Sequence, residues 1–197
     1  PECPFELFKE FLSDFQKEKP KELVTMNLAT INEELGVLNR TVVYRKLSEK
    51  GFIFQTERGS QKFKDIAKDP RVCLTFLFVY KLGETHVNRQ IRINGKAIEL
   101  SQNEINELWN NAAVPSKVRA KLSDSTKRAK WREYQDRYDK ILEAYEKGQE
   151  PLNVTKGFTA LEVVPEVFDF YHGLSNFVDD KIVYKKEDGK WILYHKG

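Results

Sequence analysis

Cysteine is scarce. Cys3 and Cys73 are the only two in 197 residues, too few for a disulfide framework and without the spacing of a metal site. Such usage suits a reducing compartment. Long apolar runs are missing too: nothing approaches the roughly 18 residues needed to cross a bilayer, and the first twenty residues are studded with Lys and Glu where a signal peptide would be apolar. These absences predict a soluble intracellular protein that does not bind membranes, cytoplasmic and compatible with the nucleus. An excess of one charge is also lacking, since 33 Lys+Arg stand against 30 Asp+Glu and leave a net +3. A protein that lives on phosphate-backbone contacts needs a clustered basic surplus. A nucleic-acid partner is therefore disfavoured, and most lysines read as solvated surface. The three histidines, His86, His172 and His195, have no ligand spacing. Asn153-Val154-Thr155 matches a glycosylation sequon, which without a secretory signal reads as chance.

What is present is enough apolar and aromatic material, 40% and 12%, for one domain over residues 1–197. Phe5, Phe8, Phe11, Leu12 and Phe15 follow a helical period, predicting an N-terminal helix over about 4–19 that Pro20 ends. Val24 to Ile31 and Val37 to Leu47 read as a hairpin around Gly36, and Phe52 to Thr56 as a further strand. A short helix from Ser60 to Lys68 follows, stopped by Asp69-Pro70. Val72 to Tyr80 reads as a buried central strand and Lys81 to Asn88 as a loop, with an alternating strand from Arg89 to Leu100. Ser101 to Glu104 is a capping box for a helix to about Asn110. A long helix over about Thr126 to Lys147 carries an aromatic face, Trp131, Tyr134, Tyr138 and Tyr145, that reads as core or subunit interface. Together these make a helical insertion over about 101–148. Strands Phe158 to Val164 and Val167 to Tyr171 and a hairpin around Asp188-Gly189 close the chain. The pattern predicts a mainly β, α+β protein: an antiparallel barrel with a helical insertion, or an open sandwich, since pattern alone fixes class better than topology.

The strongest chemical signal is Thr56 to Lys62, where a strand empties through Gly59 into a helix beginning Ser60, Gln61, Lys62. Free N–H groups, a hydroxyl and a cation within one turn suit a phosphate; the same residues also read as an N-cap, a turn and a solvated lysine. Arg40 stands among apolar strand residues, where a guanidinium needs an anion or an acidic partner.

In this order along the chain, Met26 to Asn32, Arg40-Thr41-Val42-Val43-Tyr44-Arg45, Gly51 to Thr56, Gly59 to Lys62, Asp69 to Val72, Arg89-Gln90-Ile91, Gly95-Lys96-Ala97 and Phe170 to Gly173 resemble the pyridoxamine 5′-phosphate oxidases and related FMN-binding split barrels. The resemblance runs from about Leu23 to Tyr194. It implies a split barrel, FMN as cofactor, and a homodimer with FMN at the interface. It further implies that Arg40, Ser60 and Lys62 hold the FMN phosphate, that Thr41, Val42, Val43, Arg45, Gln55 and Thr56 line the flavin, and that Gln90 bonds near the ring. Gln61, Tyr171 and Lys181 occupy flavin positions where the family has arginine, tryptophan and arginine, and Ser125 stands where it has glutamine.

On the substrate side, the family's lysine, tyrosine, arginine and serine fall at Arg45, Leu108, Ala112 and Ser116, and its ring-covering arginine and histidine at Phe177 and Asp179. Hydrogen bonds to charged groups are worth about 1.5–3 kcal/mol each, so two lost donors weaken a phosphate roughly a hundredfold. Lys117, Arg119 and Lys121 read as a solvated basic turn or a replacement anion site. The expectation is an FMN flavoprotein related to pyridoxamine/pyridoxine 5′-phosphate oxidase, acting on a small phosphorylated substrate with altered or lost specificity. The alternative is a non-catalytic flavin- or B6-phosphate-binding module.

Overall fold

The computed structural model describes residues 1–123, 130–175 and 178–196. Nine strands and five helices run in the order α1 (Pro4–Glu18), β1 (Thr25–Asn32), β2 (Gly36–Val43), β3 (Lys46–Leu47), β4 (Phe52–Glu57), α2 (Gln61–Lys68), β5 (Arg71–Leu82), β6 (Thr85–Glu99), α3 (Gln102–Asn110), α4 (Val114–Leu122), α5 (Trp131–Glu146), β7 (Phe158–Leu174), β8 (Asp180–Glu187) and β9 (Lys190–Lys196). All pairings are antiparallel, along the path β2-β1-β5-β6-β7-β4-β3, with β8 pairing β7 and β9 pairing β8. The two ends of that path are consecutive in the chain, so the sheet curls on itself. It stays open between β2 and β3, which do not pair with each other; Arg45, on the link between them, continues the β3–β4 ladder, its N–H donating to the Ile53 carbonyl at 3.0 Å. This is the expected mainly β architecture with a helical insertion.

The split originates in β7. Its first half pairs β4 through Phe158–Val163 and its second half pairs β8 through Val167–His172, while β6 follows its other edge. The change occurs at Pro165, which has no N–H to give, opposite a bulge at Asn94/Gly95. A Cβ on Gly95 would lie 2.2 Å from the Val164 carbonyl oxygen, so only glycine permits this approach. The sequence reads two strands here because proline usually ends one; the structure keeps a single bent strand. The expected loop at Lys81–Asn88 is also largely strand, with β5 and β6 meeting at Gly83, whose φ of +59° suits glycine.

The core is aromatic. Phe8 of α1, fully buried, packs its ring 4.8 Å from that of Phe52 and 4.9 Å from that of Phe76, and α1 is pinned by Asp14, which pairs with the Arg89 guanidinium at 2.9 Å. A smaller core lies under α3, where Trp109 meets Ile53 and Phe158 and donates to the Leu152 carbonyl at 2.9 Å. One expectation fails. β5 is buried on one face only, leaving Leu77 and Val79 58% and 51% exposed. Of the two readings of the aromatic face of α5, core and subunit interface, the structure excludes the core: the helix has no buried residue and Trp131 is 76% exposed. The predicted start of that helix lies outside the described residues.

Candidate functional site

Ser60 caps α2 as its sequence predicts, its hydroxyl accepting from the Phe63 N–H. The helix carries no acid in its first turn, so its positive end is uncompensated by the chain itself. β4 runs into this cap, and Thr56 Oγ1 lies 3.0 Å from Ser60 Oγ, while Lys62 Nζ donates to Thr56 Oγ1 at 3.3 Å. A hydroxyl pair, an ammonium and a helix N-terminus therefore meet beside one open pocket of about 380 Å³. β4 contributes Gln55, Thr56 and Glu57 to it, the α2 start Ser60 and Lys62, the β2–β3 seam Arg45, and α4 Ser116 and Arg119.

Arg40 does not line this pocket; it stands behind it, between β1 and α2. Its Nη1 donates to Thr30 Oγ1 at 2.7 Å and to the Leu28 and Leu38 carbonyls at 3.1 and 3.2 Å. Its Nη2 lies 3.8 Å from Asp65, whose carboxylate is buried and also accepts from Thr30, Asn32 and Gln61 at 2.8–2.9 Å. The acidic partner that Arg40 requires is thus supplied within the fold. Burial by itself would raise the Asp65 pKa; the three hydrogen bonds and the Arg40 charge outweigh it and hold the carboxyl ionised. Burial lowers the pKa of Lys62, and the Arg40 charge lowers it further while Glu57 opposes.

The remaining predicted residues fall elsewhere. Gln61 turns to Asp65 and lines a neighbouring groove with Asn32 and Lys68. Val42 points into the core, and Thr41 donates to Asn27 at 3.0 Å. Gln90, Tyr171 and Lys181 are direct cross-strand partners on β6, β7 and β8, which puts them in one row on one face of the sheet, beside exposed Leu77. Tyr171 donates to Asp179 at 2.7 Å. This row lies eleven residues along β7 from Ala160, the partner of Gln55, or about 35 Å of strand at ~3.3 Å per residue. The structure gathers Arg45, Gln55, Thr56, Ser60, Lys62 and Ser116, and leaves Gln90, Tyr171 and Lys181 as a second group. Ser125 and Phe177 lie outside the described residues.

One titratable pocket residue went unread in the sequence. Glu57 has its carboxyl tucked against Gly157, where an added Cβ would meet Oε2 at 2.7 Å. Burial pushes its pKa up to about 7, against the pull of Arg58 and Lys62. Its position as the last residue of a strand next to the glycine loop is the one signal that could have found it.

The family model described as pyridoxamine 5′-phosphate oxidase matches residues 12–170. The chain belongs to this family. Its relatives include the pyridoxine/pyridoxamine 5′-phosphate oxidase 2 of Hydrogenovibrio crunogenus, 28% identical over 190 residues covering 96% of this chain and 85% of that one. The corresponding oxidase of Haemophilus influenzae is 28% identical over 191 residues, covering 96% and 86%. Among solved structures, PhzG from Burkholderia lata in complex with tetrahydrophenazine-1-carboxylic acid superposes with a TM-score of 0.86 at 19% identity, covering 100% of this chain and 93% of that one. A pyridoxamine 5′-phosphate oxidase-related, FMN-binding protein from Nostoc punctiforme gives 0.74 at 16% identity, covering 99% and 97%. These likenesses establish the split-barrel fold. Among the described residues no helix is long and apolar enough to cross a membrane, and no cluster of His, Cys, Asp and Glu is arranged to hold a metal.

Proposed function

We propose that this chain is an FMN-binding oxidoreductase of the pyridoxamine 5′-phosphate oxidase type, one domain per chain, working as a homodimer on a small phosphorylated substrate. The observation that carries the reading is the convergence of Lys62, Thr56 and Ser60 at the uncapped-by-acid start of α2, with Arg40 behind them. That donor set fits a phosphate monoester: charge-assisted N–H and O–H donors around one dianion. Asp65 holds Arg40 in place, and Arg45 and Gln55 stand along the pocket where a bound flavin would extend. Bound FMN supplies a hydride acceptor that can pass electrons on to dioxygen. The chain's own residues bind and orient; Glu57, poised near neutrality, is the group best suited to hold or release a proton in the pocket.

The dimer is supported by the division of the predicted residues into two groups. Gln90, Tyr171 and Lys181 line no part of the pocket that holds Lys62, and exposed Leu77 and Val79 on the adjacent strand provide apolar surface for a second copy. A second reading, binding without turnover, is favoured by Leu108, which packs toward the small core, and Ala112, neither of which has a donor. Supplying FMN and recording the flavin absorption band and fluorescence tests the first claim: an unperturbed spectrum would defeat it. Anaerobic addition of pyridoxamine 5′-phosphate separates the readings, since bleaching of the flavin band shows hydride transfer from that substrate to the flavin and an unchanged band favours a binding module.

A further inference from the structure

We propose that Arg119 is a specificity-determining residue: it joins Arg45 and Ser116, which the family resemblance already puts at the substrate phosphate, and adds a guanidinium at a position where the family has mostly neutral residues. The proposal rests on the flavin reading for what lies beside that phosphate, and on this chain's geometry for the rest.

Lys117, Arg119 and Lys121 are not equivalent in the structure. Lys117 donates to the Asn110 carbonyl at 3.1 Å, and Lys121 pairs with Glu150 and reaches the Pro151 carbonyl. Both lysines are engaged by the chain itself, so of the two readings of this turn, solvated or a replacement anion site, neither lysine takes the second. Arg119 faces the other way. It follows Ser116 by three residues on α4, donates to Ser116 Oγ at 3.1 Å, and lines the pocket together with Arg45 from the β2–β3 seam. Neither guanidinium has an acidic partner among the described residues. Burial lowers the Arg45 pKa, and the Arg119 charge lowers it further, as expected of like charges near one another.

Two guanidiniums and a hydroxyl, contributed by two elements, match an anion of charge −2 with several terminal oxygens. A carboxylate would neutralise one guanidinium and leave the other facing it. The subsite uses residues distinct from Lys62, Thr56 and Ser60, so two phosphates are accommodated in one pocket, one of the flavin and one of the substrate. Arg119 thereby supplies a donor that Leu108 and Ala112 lack.

The test is calorimetric titration of the whole chain, with and without saturating FMN, using pyridoxal 5′-phosphate, pyridoxal and inorganic phosphate as probes. Arg119→Gln should weaken pyridoxal 5′-phosphate by about 10- to 100-fold, leave pyridoxal and FMN affinity unchanged, and be partly rescued by Arg119→Lys. Lys62→Gln should do the reverse, weakening FMN. The proposal is overturned if Arg119→Gln leaves pyridoxal 5′-phosphate affinity unchanged, if it weakens pyridoxal by the same factor, or if the wild-type chain takes neither phosphate probe. Arg119-dependent binding of pyridoxal 5′-phosphate by a chain that takes no FMN would sink the flavin reading and uphold the subsite. FMN binding with no effect of Arg119 would do the opposite.

Discussion

Replacing Asp65 by alanine tests the frame on which the candidate site is built. Its carboxylate is 2% exposed, accepts from Thr30, Asn32 and Gln61, and faces the Arg40 guanidinium at 3.8 Å. The substitution strands three donors and leaves a partly buried cation without its counter-charge. Removing one partner of a buried pair costs about 3–5 kcal/mol, and each unsatisfied donor adds to this. For a chain of this length that is a fall in Tm of about 6–20 °C. Urea denaturation followed by tryptophan fluorescence measures the loss, and Asp65→Asn, which keeps the shape and one acceptor, should fall between wild type and Asp65→Ala. Because the folded pKa is depressed, the carboxylate's contribution is present above the unfolded value near 3.8 and is lost as pH falls through the folded value. Asp65→Ala should therefore remove part of the acid limb of the stability curve. A loss under about 1 kcal/mol, typical of a surface change, would refute the view that Asp65 anchors Arg40.

Three further outcomes are expected. Lys62→Ala should weaken FMN by about 10- to 100-fold, the worth of one charge-assisted donor, with unfolding unchanged; flavin fluorescence quenching reads this. Glu57 is protonated in the fold up to about 7 against 4.5 ordinarily, so the folded state holds more protons in that window and stability declines as pH rises across it. Ionisation also brings a negative charge into the pocket, so phosphate affinity should drop through pH 7, and Glu57→Gln should flatten both profiles. Gly51→Ala would put a Cβ 1.9 Å from the Val163 carbonyl oxygen, forcing β3 and β4 from β7; a loss of about 3 kcal/mol or more is expected, measured by thermal melting.

Local signals were legible in the sequence because they act over a few residues. The Ser60 cap, the Ser101–Glu104 box and the Asp188-Gly189 turn, with φ of 48° and 81°, all form as their chemistry dictates. Long-range facts were not. Nothing in the sequence ties Arg40 to Asp65, which sits on a helix whose polar residues read as solvated. Pro165 looks like a strand end and becomes a bend, because the register shift opposite Asn94/Gly95 lets β7 continue its pairing with β6 on both sides of the proline. The apolar run in β5 looks like a strand buried on both faces, although Leu77 and Val79 lack cover within one chain. The basic turn of α4 hid the difference between two lysines bound to their own fold and one arginine that lines the pocket.

The central claim is that one flavin site draws on two chains, and mixed dimers test it directly. Chains carrying Lys62→Ala and chains carrying Gln90→Ala with Lys181→Ala should each bind FMN weakly. Refolded together in equal amounts, half the dimers are mixed and each has one intact site, so about a quarter of all sites should regain wild-type affinity. Recovery of that fraction in an FMN titration supports the account; a mixture that binds no better than its two components contradicts it.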